Sequence, residues 1–432
     1  MPKKKKTGII NGNDATRKEN TMAERNIIVG QSGGPTAVIN SSLAGVYKTA
    51  KERGFHTVYG MLHGIQGLLD EQYVDLSTQI HSDMDIELLK RTPSAFLGSC
   101  RYKLPEIHED MEIYEKIFGI LDKLEIEVFI YIGGNDSMDT IKKLSDYAIV
   151  KGHSQKFLGV PKTIDNDLAL TDHTPGFGSA AKYIAASTKE IIRDALGLAY
   201  KKDMITIIEV MGRNAGWLTG ATALAKTEEC EGPDLIYLPE VPFDIEKFRD
   251  KAKDLLKTKH SIVIAVSEGI KLEDGRYVCE LSGGADYVDP FGHKQLAGTA
   301  AYLAGFLGAE LGCKTRGIEF STLQRSASHM ASRVDINEAF MVGGAAVKAA
   351  DEGDSGKMVV IDRLSDDPYM STAGIYDVHK IANNEKVVPR DWMNEDANYV
   401  TDKFIDYIEP LIQGDYPPFM VNGLPQHLVL KR

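Results

Sequence analysis

The sequence predicts an α/β protein built from two units with mostly parallel sheets, and three observations lead to this prediction. The chain has 432 residues, which is long for one hydrophobic core, so two domains are expected. Short apolar runs of strand length alternate with stretches of helix length. Most of the apolar runs end in a glycine-rich or charged loop, and loops at strand ends are where open α/β sheets bind ligands.

The composition is that of a globular protein, with 43% hydrophobic and 26% charged residues. A net charge of -12 disfavours nucleic acid as a partner. The sequence contains no apolar run long enough to predict a membrane span. The four cysteines (Cys100, Cys230, Cys279 and Cys313) form no CxxC pair, which predicts free thiols in a reducing cytoplasm and no zinc site.

Residues 1–23 are rich in lysine and carry few apolar side chains. This composition predicts a disordered basic tail. A nucleic-acid-binding arm and a targeting signal are the alternatives, although the segment lacks the apolar stretch of a signal peptide.

Three strands in the first part of the chain end in loops suited to one phosphate-rich ligand. The predicted strand and loop pairs are 26–30 with 31–36, 128–132 with 133–139, and 157–160 with 161–167, with helices over 37–53 and 140–150. A strand, a glycine-rich loop and a helix together present backbone N–H groups to an anion. A glycine pair alone is weak support, because glycine also serves plain turns.

The loop 161–167, with the sequence PKTIDND, carries the most chemistry. Asp165 and Asp167 suit a proton acceptor beside a metal-linked carboxylate, and Lys162 suits a phosphate. This combination is typical of phosphoryl transfer, in which positioning and charge neutralisation do most of the catalysis. The alternative is an Asx-rich turn, since Asn and Asp side chains bind their own backbone in loops.

A second series of strands ends in loops that carry arginine and glutamate. The predicted strands are 204–210, 235–238, 261–266 and 317–323, and the loops that follow include 211–217, 239–240, 267–269 and 324–326. Arginine binds phosphate in a bidentate manner, and glutamate accepts hydrogen bonds from sugar hydroxyls. These strands form the second α/β unit.

From about Asn26 to about Asp362 the chain resembles the phosphofructokinases. The matching blocks, in family order, are QSGGPTAVIN, LGSCRYK, GGNDS, PKTIDND, MGRNAGW, SEG and LQRS. The resemblance implies two Rossmann-like three-layer domains with mostly parallel sheets facing a central cleft. It also implies phosphoryl transfer to the C1 hydroxyl of fructose 6-phosphate with Mg²⁺, in a homo-oligomer (dimer or tetramer). From the charge, the cysteines and the lack of a long apolar run, we expect a cytoplasmic protein that binds neither nucleic acid nor membrane.

The domain boundaries follow from the same resemblance. Residues 24–170, with a returning segment at about 335–390, would form the phosphoryl-donor domain. Residues 171–334 would form the fructose 6-phosphate domain, and 391–432 a C-terminal extension.

Two positions bear on the phosphoryl donor. ATP-using members typically read GGDG and carry a glycine before TIDND, whereas this chain has Asp136 and Lys162 there. A carboxylate at Asp136 would repel a nucleotide α-phosphate, and Lys162 can neutralise a short inorganic donor. The pair resembles the pyrophosphate-dependent branch; an ATP-dependent enzyme and a non-catalytic sugar-phosphate sensor are the alternatives.

Matched motif positions imply a role for each site residue. Asp165 would be the general base, and Asp167 would support magnesium or the transition state. The other catalytic residues would be Lys162, Asp136 and Arg101, the donor-binding residues Gly33, Gly34 and Gly134, and the metal ligands Asn135 and Asp136. The fructose 6-phosphate site would comprise Thr163, Ile164, Asp165, Met211, Gly212, Arg213, Glu268, Thr322, Leu323, Gln324, Arg325 and His329.

The chain departs from the family pattern at three positions. Asn135 replaces the usual magnesium-binding aspartate, and an amide is a weaker ligand for a hard cation. Met204 and Ile336 stand where arginines for the 6-phosphate are usual, and the first of those arginines reaches across a subunit interface in bacterial ATP-dependent members. The candidate replacement cations are Lys201, Lys202, Lys294 and Lys314.

Overall fold

The structure is a computed structural model that describes residues 25–282 and 296–431. The basic tail predicted for residues 1–23 lies outside this range. Among the helices of the two described segments, none combines the length and the apolarity that a membrane span requires.

The strands of the described segments fall into two main sheets and one short hairpin. They are β1 (Asn26–Gln31), β2 (Val58–Met61), β3 (Tyr73–Asp75), β4 (Ile126–Gly133), β5 (Lys156–Pro161), β6 (Met204–Val210), β7 (Leu235–Tyr237), β8 (Ser261–Ser267), β9 (Lys314–Glu319), β10 (Lys357–Asp366), β11 (Tyr369–Asp377), β12 (Met420–Val421) and β13 (Leu424–Pro425).

The helices of the same segments cover the faces of the two main sheets. They are α1 (Ile39–Glu52), α2 (Gly64–Leu69), α3 (Asp83–Arg91), α4 (Met111–Lys123), α5 (Asn135–Lys151), α6 (Phe177–Leu198), α7 (Trp217–Gly220), α8 (Ile245–Leu255), α9 (Thr299–Leu311), α10 (Leu323–Ser326), α11 (Arg333–Asp351) and α12 (Asp402–Ile408).

The larger sheet has the strand order β11-β10-β5-β4-β1-β2-β3. The inner pairs are parallel, and only the edge pairs β2–β3 and β10–β11 are antiparallel. Alternate residues of β1 enter different cores: Ile27 packs with side chains of α1 and α11, and Ile28 packs with those of α4 and α5. The sheet is therefore the middle of three layers, and its central strands are apolar on both faces.

The smaller sheet has the order β7-β8-β6-β9 and is parallel throughout. Ile208 of β6 packs in the core that contains α6 and α12, and Ile207 packs in the core that contains α8 and α9. Two three-layer α/β arrangements with mostly parallel sheets confirm the fold class predicted from the sequence.

The bounds of two elements were predicted wrongly. The strand expected at 317–323 is β9, which runs from Lys314 to Glu319, and α10 begins four residues after its end. β9 is a largely exposed edge strand, so apolar residues do not mark where it begins and ends. Its pairing with β6 determines those bounds. Helix α5 begins at Asn135, five residues before the prediction, because the extended residue Gly134 provides its N-cap.

Helices α1 and α11 pack so closely that only glycine fits at their contact. A Cβ atom on Gly45 of α1 would lie 2.1 Å from the carbonyl oxygen of Phe340. A Cβ atom on Gly343 of α11 would lie 2.1 Å from the carbonyl oxygen of Ser42. The contact attaches α11, which follows the smaller sheet in the chain, to the first helix of the larger one.

This contact predicts that Gly45→Ala destabilises the protein. Overpacking against backbone atoms costs about 1–3 kcal/mol. The matched control is Gly119→Ala in α4, where the new methyl group meets no atom within 4 Å. That change should stabilise the protein by about 0.5–1 kcal/mol, because alanine favours the helix. Urea unfolding of both variants measures the difference, and equal effects would contradict the packing argument.

Candidate active site

Three loops meet at the carboxyl edge of the larger sheet. Strands β5, β4 and β1 are adjacent and parallel, so the residues that follow them emerge side by side. The backbone N–H of Lys162 donates to the carbonyl oxygen of Gly133 at 3.0 Å, and that of Ser32 donates to Ile132 at 2.9 Å. These bonds hold the three loops in contact with one another.

A cleft with a volume of about 540 Å³ separates these loops from the carboxyl ends of β6, β8 and β9. Most of the predicted site residues line it. They are Gly33, Gly34, Arg101, Gly134, Asn135, Asp136, Lys162, Thr163, Ile164, Asp165, Asp167, Met211, Arg213, Glu268, Thr322 and Arg325.

Four predicted site residues do not line the cleft. Gly212 and Gln324 lie directly behind it: the Gly212 N–H donates to Glu268 Oε1 at 3.4 Å, and Gln324 Oε1 accepts from the Met211 N–H at 3.3 Å. Leu323 is 61% exposed, and the exposed ring of His329 lies edge-on to Tyr183. The structure therefore places Leu323 and His329 outside the cleft of their own chain.

Lys162 is buried against the glycine-rich loop that follows β1. Its Nζ donates to the carbonyl oxygen of Gly34 at 2.7 Å and would lie 3.2 Å from a Cβ atom on Gly33. Gly33 also has a φ of +76°, which favours glycine. Burial lowers the pKa of Lys162 to about 8, although the charges of Asp165 and Asp167 oppose this shift.

The two carboxylates of the PKTIDND loop lie beside this ammonium group. Burial raises the pKa of Asp165, while the positive charges of Lys162 and Arg213 act in the opposite direction. Burial, and then the charge of Asp165, raise the pKa of Asp167 to about 7. The Thr163 hydroxyl accepts a hydrogen bond from the Asp165 N–H at 3.0 Å, which fixes the turn.

Arginine side chains face Asp165 from both walls of the cleft. Arg101 follows Cys100, whose carbonyl oxygen accepts from the Gly33 N–H at 3.1 Å. Arg325 comes from the opposite wall and extends across the cleft to the glycine-rich loop, where its Nη1 would lie 3.4 Å from a Cβ atom on Gly34. The centre of the cleft thus combines several cations with a few buried carboxylates.

Glu268 is a carboxylate of the second wall. It follows β8, and its N–H donates to Val210 at the end of β6. Burial, with a contribution from the nearby Asp165, raises the pKa of Glu268 to about 8. A carboxyl group of this kind can hydrogen-bond a hydroxyl-bearing ligand.

The donor set near α5 fits a magnesium ion held mostly by a phosphorylated ligand. Asn135 Oδ1 and Asp167 Oδ1 are buried and have no hydrogen-bond partner among the described residues. Among all residues that the structure describes, no three His, Cys, Asp or Glu side chains are grouped so that they could hold a metal ion. Mg²⁺ commonly takes one or two protein oxygens and completes its shell with phosphate oxygens and water.

Several lining residues were not predicted, including Glu209, Asn214, Glu319 and Glu385. Glu385 comes from the segment after β11, outside every recognised motif. An isolated bridge with Leu168 brings it to the cleft, where the Asn214 amide donates to its Oε1 at 3.2 Å. No local sequence signal could have identified it, because its position depends on pairing between distant segments.

Three of the four lysines proposed to replace the missing arginines do not reach this cleft. Lys201 and Lys202 precede β6, and Lys314 begins β9. All three lie at the amino ends of parallel strands. Because β6 has seven residues, its rise places these ends about 20 Å from the carboxyl edge of the sheet. Lys294 lies outside the described residues.

Comparison with known proteins identifies the family. The profile described as phosphofructokinase matches residues 26–350, and the chain belongs to this family. It is 41% identical to the pyrophosphate–fructose 6-phosphate 1-phosphotransferase of Halomonas elongata, over 94% of this chain and 96% of that protein. It is also 41% identical to the protein of the same name from Xanthomonas campestris pv. campestris, over 95% and 97%.

A solved structure has the same architecture along nearly the whole chain. The crystal structure of a pyrophosphate-dependent phosphofructokinase from Nitrosospira multiformis superimposes with a TM-score of 0.85. The two sequences are 37% identical, and the match covers 95% of this chain and 97% of that one.

Proposed function

We propose that this chain is a pyrophosphate-dependent phosphofructokinase. It transfers a phosphoryl group reversibly from pyrophosphate to the C1 hydroxyl of fructose 6-phosphate, giving fructose 1,6-bisphosphate and phosphate. The observation that carries this proposal is the pairing of Lys162 with the Gly33–Gly34 loop in a cleft that Asp136 also lines. The names of the full-length relatives agree with it.

The donor is selected by charge. The Asp136 carboxylate in the first turn of α5 would oppose the α-phosphate of a nucleotide, and this repulsion is strong where water is displaced. The Lys162 ammonium group lies beside the backbone that would cradle two phosphates. A two-phosphate donor gains this positive charge and lacks the further phosphate that the carboxylate would repel.

The chemistry assigned to the cleft begins with proton transfer to Asp165. As the C1 oxygen attacks the terminal phosphorus of pyrophosphate, its proton passes to the Asp165 carboxylate. The bond from that phosphorus to the bridging oxygen breaks, and inorganic phosphate leaves. Arg101 and Lys162 stabilise the charge on the transferring group and on the leaving phosphate.

Magnesium is part of the proposal, with Asn135, Asp136 and Asp167 as its protein ligands. When bound, it would neutralise the phosphate oxygens and hold the donor in line with the acceptor. The two unpartnered oxygens, Asn135 Oδ1 and Asp167 Oδ1, support this assignment.

The acceptor is assigned to the second wall. Thr163 and Ile164 would orient the sugar, Glu268 would bind a hydroxyl group, and Arg213 and Arg325 would bind phosphate oxygens. Met211 and Thr322 would shape the pocket, with Gly212 and Gln324 directly behind it, whereas Leu323 and His329 lie outside this cleft.

We further propose that residues 24–170 with about 335–390 bind the donor and that 171–334 bind the acceptor. The membership of β1–β5, β10 and β11 in one sheet and of β6–β9 in the other supports this division. Residues 391–432 would form the C-terminal extension. A cytoplasmic homo-oligomer is also expected, and four cysteines that form no disulfide fit a reducing compartment.

The donor assignment predicts turnover with pyrophosphate and not with ATP. In the double variant Asp136→Gly and Lys162→Gly, kcat with pyrophosphate should fall by about 10²-fold or more, because a charge that stabilises the transferring group is lost. Steady-state assays of both proteins with each donor measure this. Turnover of the wild type with ATP alone would identify an ATP-dependent enzyme instead.

The base assignment predicts that Asp165→Asn lowers kcat by about 10²–10⁴-fold, the usual contribution of general acid–base catalysis. Fructose 6-phosphate should still bind, as measured by calorimetry. The control is Asp391→Asn, which removes only an exposed ion pair with Lys403. A non-catalytic sensor would show no turnover in the wild type, and full activity of Asp165→Asn would refute the assigned base.

The lowered pKa of Lys162 predicts an alkaline limb in the pH profile. Lys162 carries its charge below a pKa of about 8 and loses it above that value, so kcat/KM for pyrophosphate should fall as pH rises through about 8. Arginine stays charged throughout this range, so Lys162→Arg should move the limb to higher pH. A limb at the same pH in both proteins would assign it to another group.

A further inference from the structure

The residue between the two aspartates of the PKTIDND loop is held in an unusual conformation. Asn166 is fully buried and has a φ of +54°, in the left-handed region. Such a conformation persists in a non-glycine residue only when its surroundings determine it. Because Asn166 separates Asp165 from Asp167, its conformation sets the direction of both carboxylates.

Two residues of the chain's last fifty hold the Asn166 side chain. Its Nδ2 donates to the Tyr407 hydroxyl oxygen at 2.9 Å, and its Oδ1 accepts from Lys386 Nζ at 3.2 Å. The backbone N–H of Lys386 also donates to the carbonyl oxygen of Asp167 at 2.8 Å. Both the side chain at the turn and the backbone just after it are therefore fixed from outside the loop.

Lys386 and Tyr407 are themselves rigidly placed. The three donors of the Lys386 ammonium group match three acceptors: Asn166 Oδ1, the Asp172 carbonyl at 2.5 Å and the Thr171 carbonyl at 3.2 Å. The Tyr407 hydroxyl donates to the same Asp172 carbonyl at 2.6 Å. These bonds close a network around residues 166–172.

The network also reaches the opposite wall of the cleft. The Lys386 carbonyl oxygen accepts from Trp217 Nε1 at 3.0 Å, and its Nζ lies 5.3 Å from the centre of the Trp217 ring. The Tyr407 ring packs against the same indole, with centroids 5.3 Å apart. Trp217 begins α7, directly after the loop that carries Arg213.

We propose that Lys386 and Tyr407 are positioning residues for phosphoryl transfer, which lock Asn166 and thereby aim Asp165 and Asp167. Neither residue lines the cleft, so both act through the loop and do not contact the substrates. This inference rests on the proposed function. Loss of either residue should lower kcat and leave the KM for each substrate nearly unchanged.

The test compares two tyrosine hydroxyls in the same C-terminal segment. Tyr407→Phe removes the hydroxyl's bonds to Asn166 and to the Asp172 carbonyl and keeps the ring packing. Tyr399→Phe is the control, since the Tyr399 hydroxyl is buried without a hydrogen-bond partner among the described residues. We expect kcat of Tyr407→Phe to fall about 10-fold or more, because a small displacement of the reacting groups slows the reaction. The KM of each substrate should stay within about twofold of the wild-type value. Tyr399→Phe should retain its kcat.

Lys386→Met extends the test, because it keeps the length of the side chain and removes its donors. Its kcat should fall by about 10²-fold, again without a matching rise in KM. Unchanged kcat in Tyr407→Phe, or an equal loss in Tyr399→Phe, would overturn the proposal. A wild type inactive with pyrophosphate would instead refute the proposed function, so the two failures are distinguishable.

Discussion

The site depends on opposite charges that lie together in a buried cleft, namely the Lys162 ammonium group and the carboxylates of Asp165 and Asp167. Burial alone would neutralise each group, and it displaces each pKa toward the uncharged form. The charges of Asp165 and Asp167 act against that tendency at Lys162, and the charge of Lys162 does so at Asp165, which keeps the proposed base and a phosphate-binding cation in one small volume. The same ammonium group donates to the Gly33–Gly34 loop, so it both shapes the proposed donor slot and limits the rise of the Asp165 pKa that burial causes.

This arrangement follows from the order of the strands. Because β1, β4 and β5 are neighbours and parallel, three loops distant in the chain share one edge of the larger sheet. The smaller sheet presents its own carboxyl edge across the cleft. Helix α11 then packs on α1 through Gly45 and Gly343, which links the chain beyond the smaller sheet to the larger one.

The sequence predicted the features that depend on local pattern. The fold class, the central strands and the convergence of glycine-rich and acidic loops all follow from apolar periodicity and motif position. The extent of β9 was predicted wrongly because an exposed edge strand takes its register from its partner and not from its own hydrophobicity. Glu385 was missed because a long-range bridge with Leu168, and no local signal, brings it to the cleft.

The C-terminal segment explains why a short loop can keep two carboxylates in fixed directions. Residues 161–167 contain too few atoms to pack a core of their own, and Asn166 has a left-handed backbone that the loop alone would not select. The stabilising contacts come from Lys386 and Tyr407, which are held by Trp217 on the other wall. Because the same indole follows the loop of Arg213, the anchor of Asn166 is attached to both walls of the cleft. The proposed catalytic geometry thus depends on residues that do not line the cleft themselves.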